Sequence, residues 1–159
     1  MLHFVVAMNR IADALELLTA QHDEIDSLLA VVSTSGSPVV RSAAVSELAE
    51  KLTVHLAIEQ EMLYPTVAQT LSDDVRRELT SEHVEIKRVL ADLVWIDLDD
   101  SRFGLKLTTL QMLLEWHELW QEEQLFESLA ESMSAAELED LGERINGWLE
   151  VADLRATAA

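Results

Sequence analysis

Four histidines lie one to a helix-forming segment along this chain of 159 residues, each in place of an apolar residue on its segment's hydrophobic stripe. The stripes are Leu15-Leu18-His22-Ile25-Leu29, Leu48-Leu52-His55-Glu59-Met62, Leu79-His83-Ile86-Leu90-Leu93 and Leu110-Leu114-His117-Gln121. Steps of three and four residues keep one face of an α-helix turned to a core. One histidine on such a stripe is usually an ordinary hydrogen-bonded core residue. Four on matched stripes, with Glu59 on one of them, point to a shared centre. A buried Glu59 without a partner is costly or takes up a proton, and metal ligation removes that problem.

Composition narrows what such a centre contains. Apolar residues make up 49% of the chain, with four Gly and two Pro, which favours long helices over strands. There is no cysteine. That excludes disulfides, thiolate nucleophiles, iron–sulfur clusters and Cys-bound zinc, so any metal is held by nitrogen and oxygen. The net charge is −19, from 30 acidic and 11 basic residues. Its field repels phosphates, so neither nucleic acid nor an anionic membrane is expected as a partner. No apolar run reaches membrane-spanning length. Met1 to Ala7 is apolar but short, is interrupted by Asn9-Arg10, and lacks the pattern of a secretory leader. The chain is therefore expected to be cytoplasmic. Met8 would serve equally well as a start.

Helix punctuation divides the chain. A first helix is expected from about Arg10 to Val32, before the turn-rich Ser33 to Ser37. Ser37-Pro38 reads as N-cap and first helical residue of a second helix, which should end near Leu63, before Pro65. Ser72-Asp73-Asp74 opens a third helix to about Ile96, with acids placed to suit the helix dipole. A fourth runs from about Arg102 to Glu131. Ser134-Ala135-Ala136-Glu137 is a capping box for a shorter fifth helix with Leu138, Leu141, Ile145, Trp148 and Ala152 on one face. Gly142 and Gly147 should weaken that helix. The expected fold is all-α: an up-down-up-down four-helix bundle plus a short C-terminal helix. Residues 1–9 form an extension expected to be poorly ordered, 10–132 the bundle, and 133–159 the packed C-terminal helix. The four tryptophans, Trp95, Trp116, Trp120 and Trp148, are assigned to packing, and so is Tyr64. Glu61, Glu118 and Glu123 are assigned to solvated faces. His3 has no helical context and should be unligated.

His55 and Glu59 are four residues apart and share a helix face. His117 has two candidate companions. Gln121, four residues on, points the right way but is a poor ligand. Glu122, five residues on, has the right chemistry but lies about 140° away on a regular helix. A π-bulge between His117 and Glu122 would return it to the core face. The candidate ligands are thus His22, His55, Glu59, His83, His117 and Glu122, with Gln121 as the alternative to Glu122. Such nitrogen–oxygen ligation suits iron, manganese or zinc. Two metals sharing carboxylates would keep open positions for dioxygen, peroxide or nitric oxide.

These segments resemble the hemerythrin-like family of HHE cation-binding domains. The resemblance rests on Gln21-His22-Asp23-Glu24-Ile25, on His55 to Glu59 running into Leu63-Tyr64-Pro65, on Glu82-His83-Val84-Glu85-Ile86-Lys87, and on His117 through Glu122-Glu123 to Leu125-Phe126. It implies a non-haem di-iron centre. His22 and His55 would hold one iron and His83 and His117 the other, bridged by Glu59 and a carboxylate from the fourth helix. It also implies a protein that binds or reacts with dioxygen, nitric oxide or peroxide, with manganese or zinc as substitute metals. The chain departs from the family's oxygen carriers at Lys87, which stands where they carry a fifth histidine. It departs at Gln121, where many members carry Glu, and at Glu127, where a proline is frequent. An open position beside Lys87 would favour rapid autoxidation over reversible oxygen carriage, and the Lys87 ammonium could stand at the mouth of the site or in solvent. Other classes of function remain open: a metal-dependent iron or oxygen sensor that binds a partner protein, or a degenerate bundle with one metal or none.

Overall fold

The computed structural model describes residues 12–157, with side chains up to residue 153. The expected extension over residues 1–9 and His3 lie outside the described residues. Among the described residues there are five helices and no strand. They are α1 (Ala14–Thr34), α2 (Pro38–Ile58), α3 (Asp73–Trp95), α4 (Phe103–Trp120) and α5 (Ala135–Thr157). Two of them continue through a widened turn. α2 runs on through a π-helical segment, Glu59–Leu63, and a last turn, Tyr64–Thr66. α4 runs on through a π-helical segment, Gln121–Phe126, and then Glu127–Ser132. Pro65 therefore does not stop α2 at Leu63. The widened turn before it relaxes the clash a proline ring makes with the carbonyl four residues back.

Local chemistry sets the helix starts. Asp13 caps α1 and forms a reciprocal box with Glu16, the two backbone-to-carboxylate bonds being 3.0 and 3.1 Å. That places the start at Ala14, not Arg10. Ser37 and Ser72 cap α2 and α3. Ser134 and Glu137 form the box that opens α5.

The helices pack α1 on α2, α2 on α3, α3 on α4, and α4 back on α1; α5 lies against α1. Their inner faces form two apolar clusters. One includes Ile25, Leu29, Leu48, Leu52, Ile86 and Leu110. The other includes Leu18, Ile58, Leu63, Phe126, Leu129 and Ile145. The polar side chains His22, His55, Glu59, His83, His117 and Gln121 are buried on helix turns between them. Among the described residues no helix is long and apolar enough to cross a membrane.

The structure corrects three expectations about packing. α5 is not short: it has 23 residues, against 21 in α1. Gly142 is not only a weak point in it but the place where it approaches the start of α1 closely. A Cβ at that position would stand 2.7 Å from the Ala12 carbonyl oxygen and 3.0 Å from the Ala14 nitrogen, both backbone atoms that cannot swing aside. Gly142→Ala is expected to destabilise the protein by about 1–3 kcal/mol, the cost typical of forced overpacking. Gly147→Ala meets nothing within 4 Å and should not destabilise. Urea denaturation of the two variants checks this, and equal midpoints would refute the close approach. Finally, Trp95 and Trp116 are 86% and 71% exposed, so they are surface residues. Neither lies at a three- or four-residue step from its helix's buried stripe. Trp120 and Trp148 are half-buried and pack on the second cluster.

Candidate metal centre

Glu59 is the hub of the polar layer and has no solvent exposure. Its Oε1 lies 3.0 Å from His55 Nε2. Its Oε2 lies 3.0 Å from His83 Nε2 and 3.1 Å from His117 Nε2. Donor atoms gather into two triads that share this carboxylate: His22, His55 and Glu59, and Glu59, His83 and His117. Ring spacing shows the same pairing. His22 and His55 have centroids 4.9 Å apart and His83 and His117 5.3 Å, while His55 and His117, across the pairs, are 6.1 Å apart.

Behind the imidazoles, polar side chains hold the outer nitrogens. His55 Nδ1 is 2.9 Å from Gln21 Oε1. His22 Nδ1 is 2.7 Å from Glu122 Oε1. His117 Nδ1 is 3.2 Å from Glu82 Oε1. Such partners fix ring orientation and leave the inner nitrogen free to face the centre. Phe126 stacks on the His22 ring at 6.0 Å with planes 2° apart.

The π-helical segments decide which residues face inward. The Gln121 N–H still bonds the His117 and Glu118 carbonyls, so α4 is regular up to Gln121. Gln121 therefore shares the face of His117 and is fully buried. The extra residue is absorbed later, and Leu125 and Phe126 are both buried. The bulge expected between His117 and Glu122 thus lies after the position that mattered. Glu122 is not brought beside Glu59. Its side chain is 42% exposed and approaches the far side of His22. In α2 the Tyr64 N–H bonds the Glu59 carbonyl, five residues back. That step stacks Tyr64 over Glu59 and makes Leu63, not Met62, the fully buried aliphatic residue.

Tyr64, assigned to packing in preference to a place behind the ligands, reaches the polar layer. Its hydroxyl donates to Glu59 Oε2 at 3.3 Å, accepts from Gln121 Nε2 at 3.1 Å, and lies 3.2 Å from His83 Nε2. The five-residue step from Glu59 was its only local signal, and that step aligns side chains only in a π-turn. Gln21 and Glu82 escaped for another reason: their partners are 34 and 35 residues away on other helices. Glu118 is not on a solvated face as expected but is 8% exposed, with Oε1 unpartnered. Glu61 and Glu123 are exposed. Lys87 is exposed, and its Nζ donates to Gln60 Oε1 at 3.2 Å, so its ammonium does not enter the polar layer.

Electrostatics in the layer are strongly coupled. Burial acts to raise the Glu59 carboxyl, but the neighbouring His55 and His117 outweigh it and hold the group well below the usual range. Burial acts to lower His117, yet the Glu59 carboxylate and its hydrogen bond push it up to about 10. His22 is lowered, mainly by burial and then by His55. Burial, with the Glu59 charge, pushes the Tyr64 phenol up, so it keeps its proton. Glu118 is pushed up to about 8 by burial and by Asp26.

Several buried polar atoms make no well-directed hydrogen bond: His22 Nε2 and Gln121 Oε1, His55 Nε2 and Glu59 Oε1 although 3.0 Å apart, and His117 Nδ1 although 3.2 Å from Glu82. Buried polar groups are normally paired, and inward-facing imidazole and carboxylate atoms left open together form a donor set for cations. The residues present fit two nitrogen–oxygen-bound metal ions that share one carboxylate.

Comparison with known proteins gives the same direction. Residues 13–129 match the model of the family described as the hemerythrin HHE cation binding domain. A protein of Nostoc sp. (strain PCC 7120 / SAG 25.82 / UTEX 2576) named as a DNA nickase is 23% identical over 124 residues, which are 78% of this chain and 35% of that protein. The chain thus spans about a third of the length of that relative. No solved structure matches the chain.

Proposed function

The chain belongs to the hemerythrin HHE cation-binding family, and from that premise we propose that it is a non-haem di-iron protein that binds or reacts with dioxygen, nitric oxide or peroxide. The observation that carries this reading is the shared carboxylate: one fully buried Glu59 that meets histidines of both triads through its two oxygens. His22 and His55 would hold one iron and His83 and His117 the other, with Glu59 common to both donor sets. The helices form an up-down-up-down four-helix bundle around the centre, with α5 outside it. Gln121 replaces a second internal bridge, and Glu122 acts from behind His22. Manganese or zinc can occupy the same donors.

Iron bound there supplies a redox couple and exchangeable positions for a small ligand. The chain's own residues do the rest. Glu122, Gln21 and Glu82 orient imidazoles through their outer nitrogens. The apolar clusters on both sides limit water. The Tyr64 hydroxyl holds a proton beside the His83 half of the site and steadies Glu59 Oε2. Lys87, at the place of the oxygen carriers' fifth histidine, turns to Gln60, and the Tyr64 hydroxyl is the oxygen beside that half. With one imidazole fewer than in the oxygen carriers, rapid oxidation in air is favoured over reversible carriage.

The nickase activity named for the relative is not carried over to this chain. The net charge of −19 opposes binding to a phosphate backbone. The test is anaerobic titration with ferrous iron, followed by stopped-flow mixing with dioxygen, peroxide and nitric oxide. Saturation at about two irons per chain and fast oxidation are expected from the two triads. Saturation at one or none supports the degenerate bundle. An oxygenated form that releases dioxygen under vacuum supports a carrier.

A further inference from the structure

A groove of about 480 Å³ opens between α1 and α4 and has His22 in its wall. Asp23, Asp26, Glu115, Glu118 and Glu122 line it, and no Lys or Arg does. Carboxylates crowded without a counter-charge repel one another, and exposed acids alone are ordinary on a chain this acidic. Glu118 is different. It is 8% exposed, lines the groove, and its buried Oε1 has no hydrogen-bond partner. A buried carboxyl without a partner is costly as a bare anion, and either a proton or an arriving cation relieves that cost. Glu118 also follows His117 directly in sequence, and Glu122 contacts His22 Nδ1 at 2.7 Å. The groove thus joins solvent to the His22 side of the metal centre along a wall rich in carboxyl groups.

Resting on the di-metal reading above, we propose that this groove is the uptake path by which divalent cations reach the His22 side of the centre, with Asp26 and Glu118 as the capture pair. Exposed Asp26 and buried Glu118 would offer carboxylate oxygens to an entering cation, and His22 in the groove wall would receive it. A cleft lined by one sign of charge raises the local concentration and the on-rate of an opposite charge, by about tenfold or more, and the gain falls with ionic strength. The acids in the groove are therefore assigned to the rate of loading. The centre itself sets how much is held.

The test follows cobalt(II) uptake by the full chain in stopped flow, reading the absorption of the bound ion, with the final content measured separately. Asp26→Asn with Glu118→Gln should slow uptake about tenfold at low salt and leave final content unchanged. Asp26→Asn alone, at an exposed position that cannot upset folding, should slow it by a smaller factor. A remote control pair, Glu131→Gln with Glu139→Gln, makes the same number of acid-to-amide changes away from the groove and should change the rate less than about twofold. Unchanged uptake in the groove variants at full final content overturns the path and leaves the metal centre standing. Equal slowing in the remote pair overturns it too, by assigning the effect to overall charge. A parent protein that binds no cobalt overturns both the path and the centre it serves.

Discussion

Glu59→Gln, reconstituted anaerobically with ferrous iron, is expected to lose metal from both halves of the site at once. Glu59 is the one residue common to the two donor triads. The amide is nearly isosteric but carries no charge, and one of its two ends offers only N–H groups. Each half then keeps two imidazoles and lacks an anionic oxygen. We expect affinity to fall about 100-fold or more at each half, beyond the usual effect of removing a group behind a ligand. His22→Ala should differ in kind, because His22 belongs to one triad only. It should remove about one equivalent and leave the His83–His117 half filled. Metal analysis after gel filtration separates these outcomes. A Glu59→Gln protein that keeps one tightly held ion would show that the two halves do not depend on a shared carboxylate.

Metal loading should also raise the melting temperature markedly. Buried atoms of His22, His55 and Glu59 crowd together without well-directed hydrogen bonds, His55 Nε2 and Glu59 Oε1 standing 3.0 Å apart. The apolar clusters on both sides lock them in place and keep water from serving as partner. A cation that binds the folded chain and not the unfolded one stabilises it by mass action, about 2.7 kcal/mol at a free concentration 100 times the dissociation constant. For a chain of this size each kcal/mol moves the midpoint by about 2–4 °C, so loading should shift it by about 5–10 °C. Thermal denaturation with and without a chelator measures this directly. A shift absent in the parent protein would refute metal binding in the polar layer. A shift retained in Glu59→Gln would place the stabilising ion elsewhere.

The stripes of the four long helices were legible because their cause is local. A three- and four-residue rhythm turns His22, His55, His83 and His117 to one side whatever the neighbouring helices do. The helix starts at Ser37, Ser72 and Ser134 were legible for the same reason, since a cap bonds backbone two or three residues away. The absence of cysteine and the net charge of −19 likewise follow from composition alone. What escaped was set by distance or by a change of helical pitch. Whether Gln121 or Glu122 faces the core depends on where α4 absorbs its extra residue, and packing of Leu125 and Phe126 in the second cluster accompanies that choice. Tyr64 reaches Glu59 only because α2 widens between them. Gln21 and Glu82 act on histidines of other helices. Lys87 turned outward because a partner, Gln60, awaited it on α2. Gly142 reads as a weak helix residue until α1 is seen to pass against its Cα. Helix periodicity thus determined which side chains could meet, and tertiary packing with the two π-turns decided which of them do.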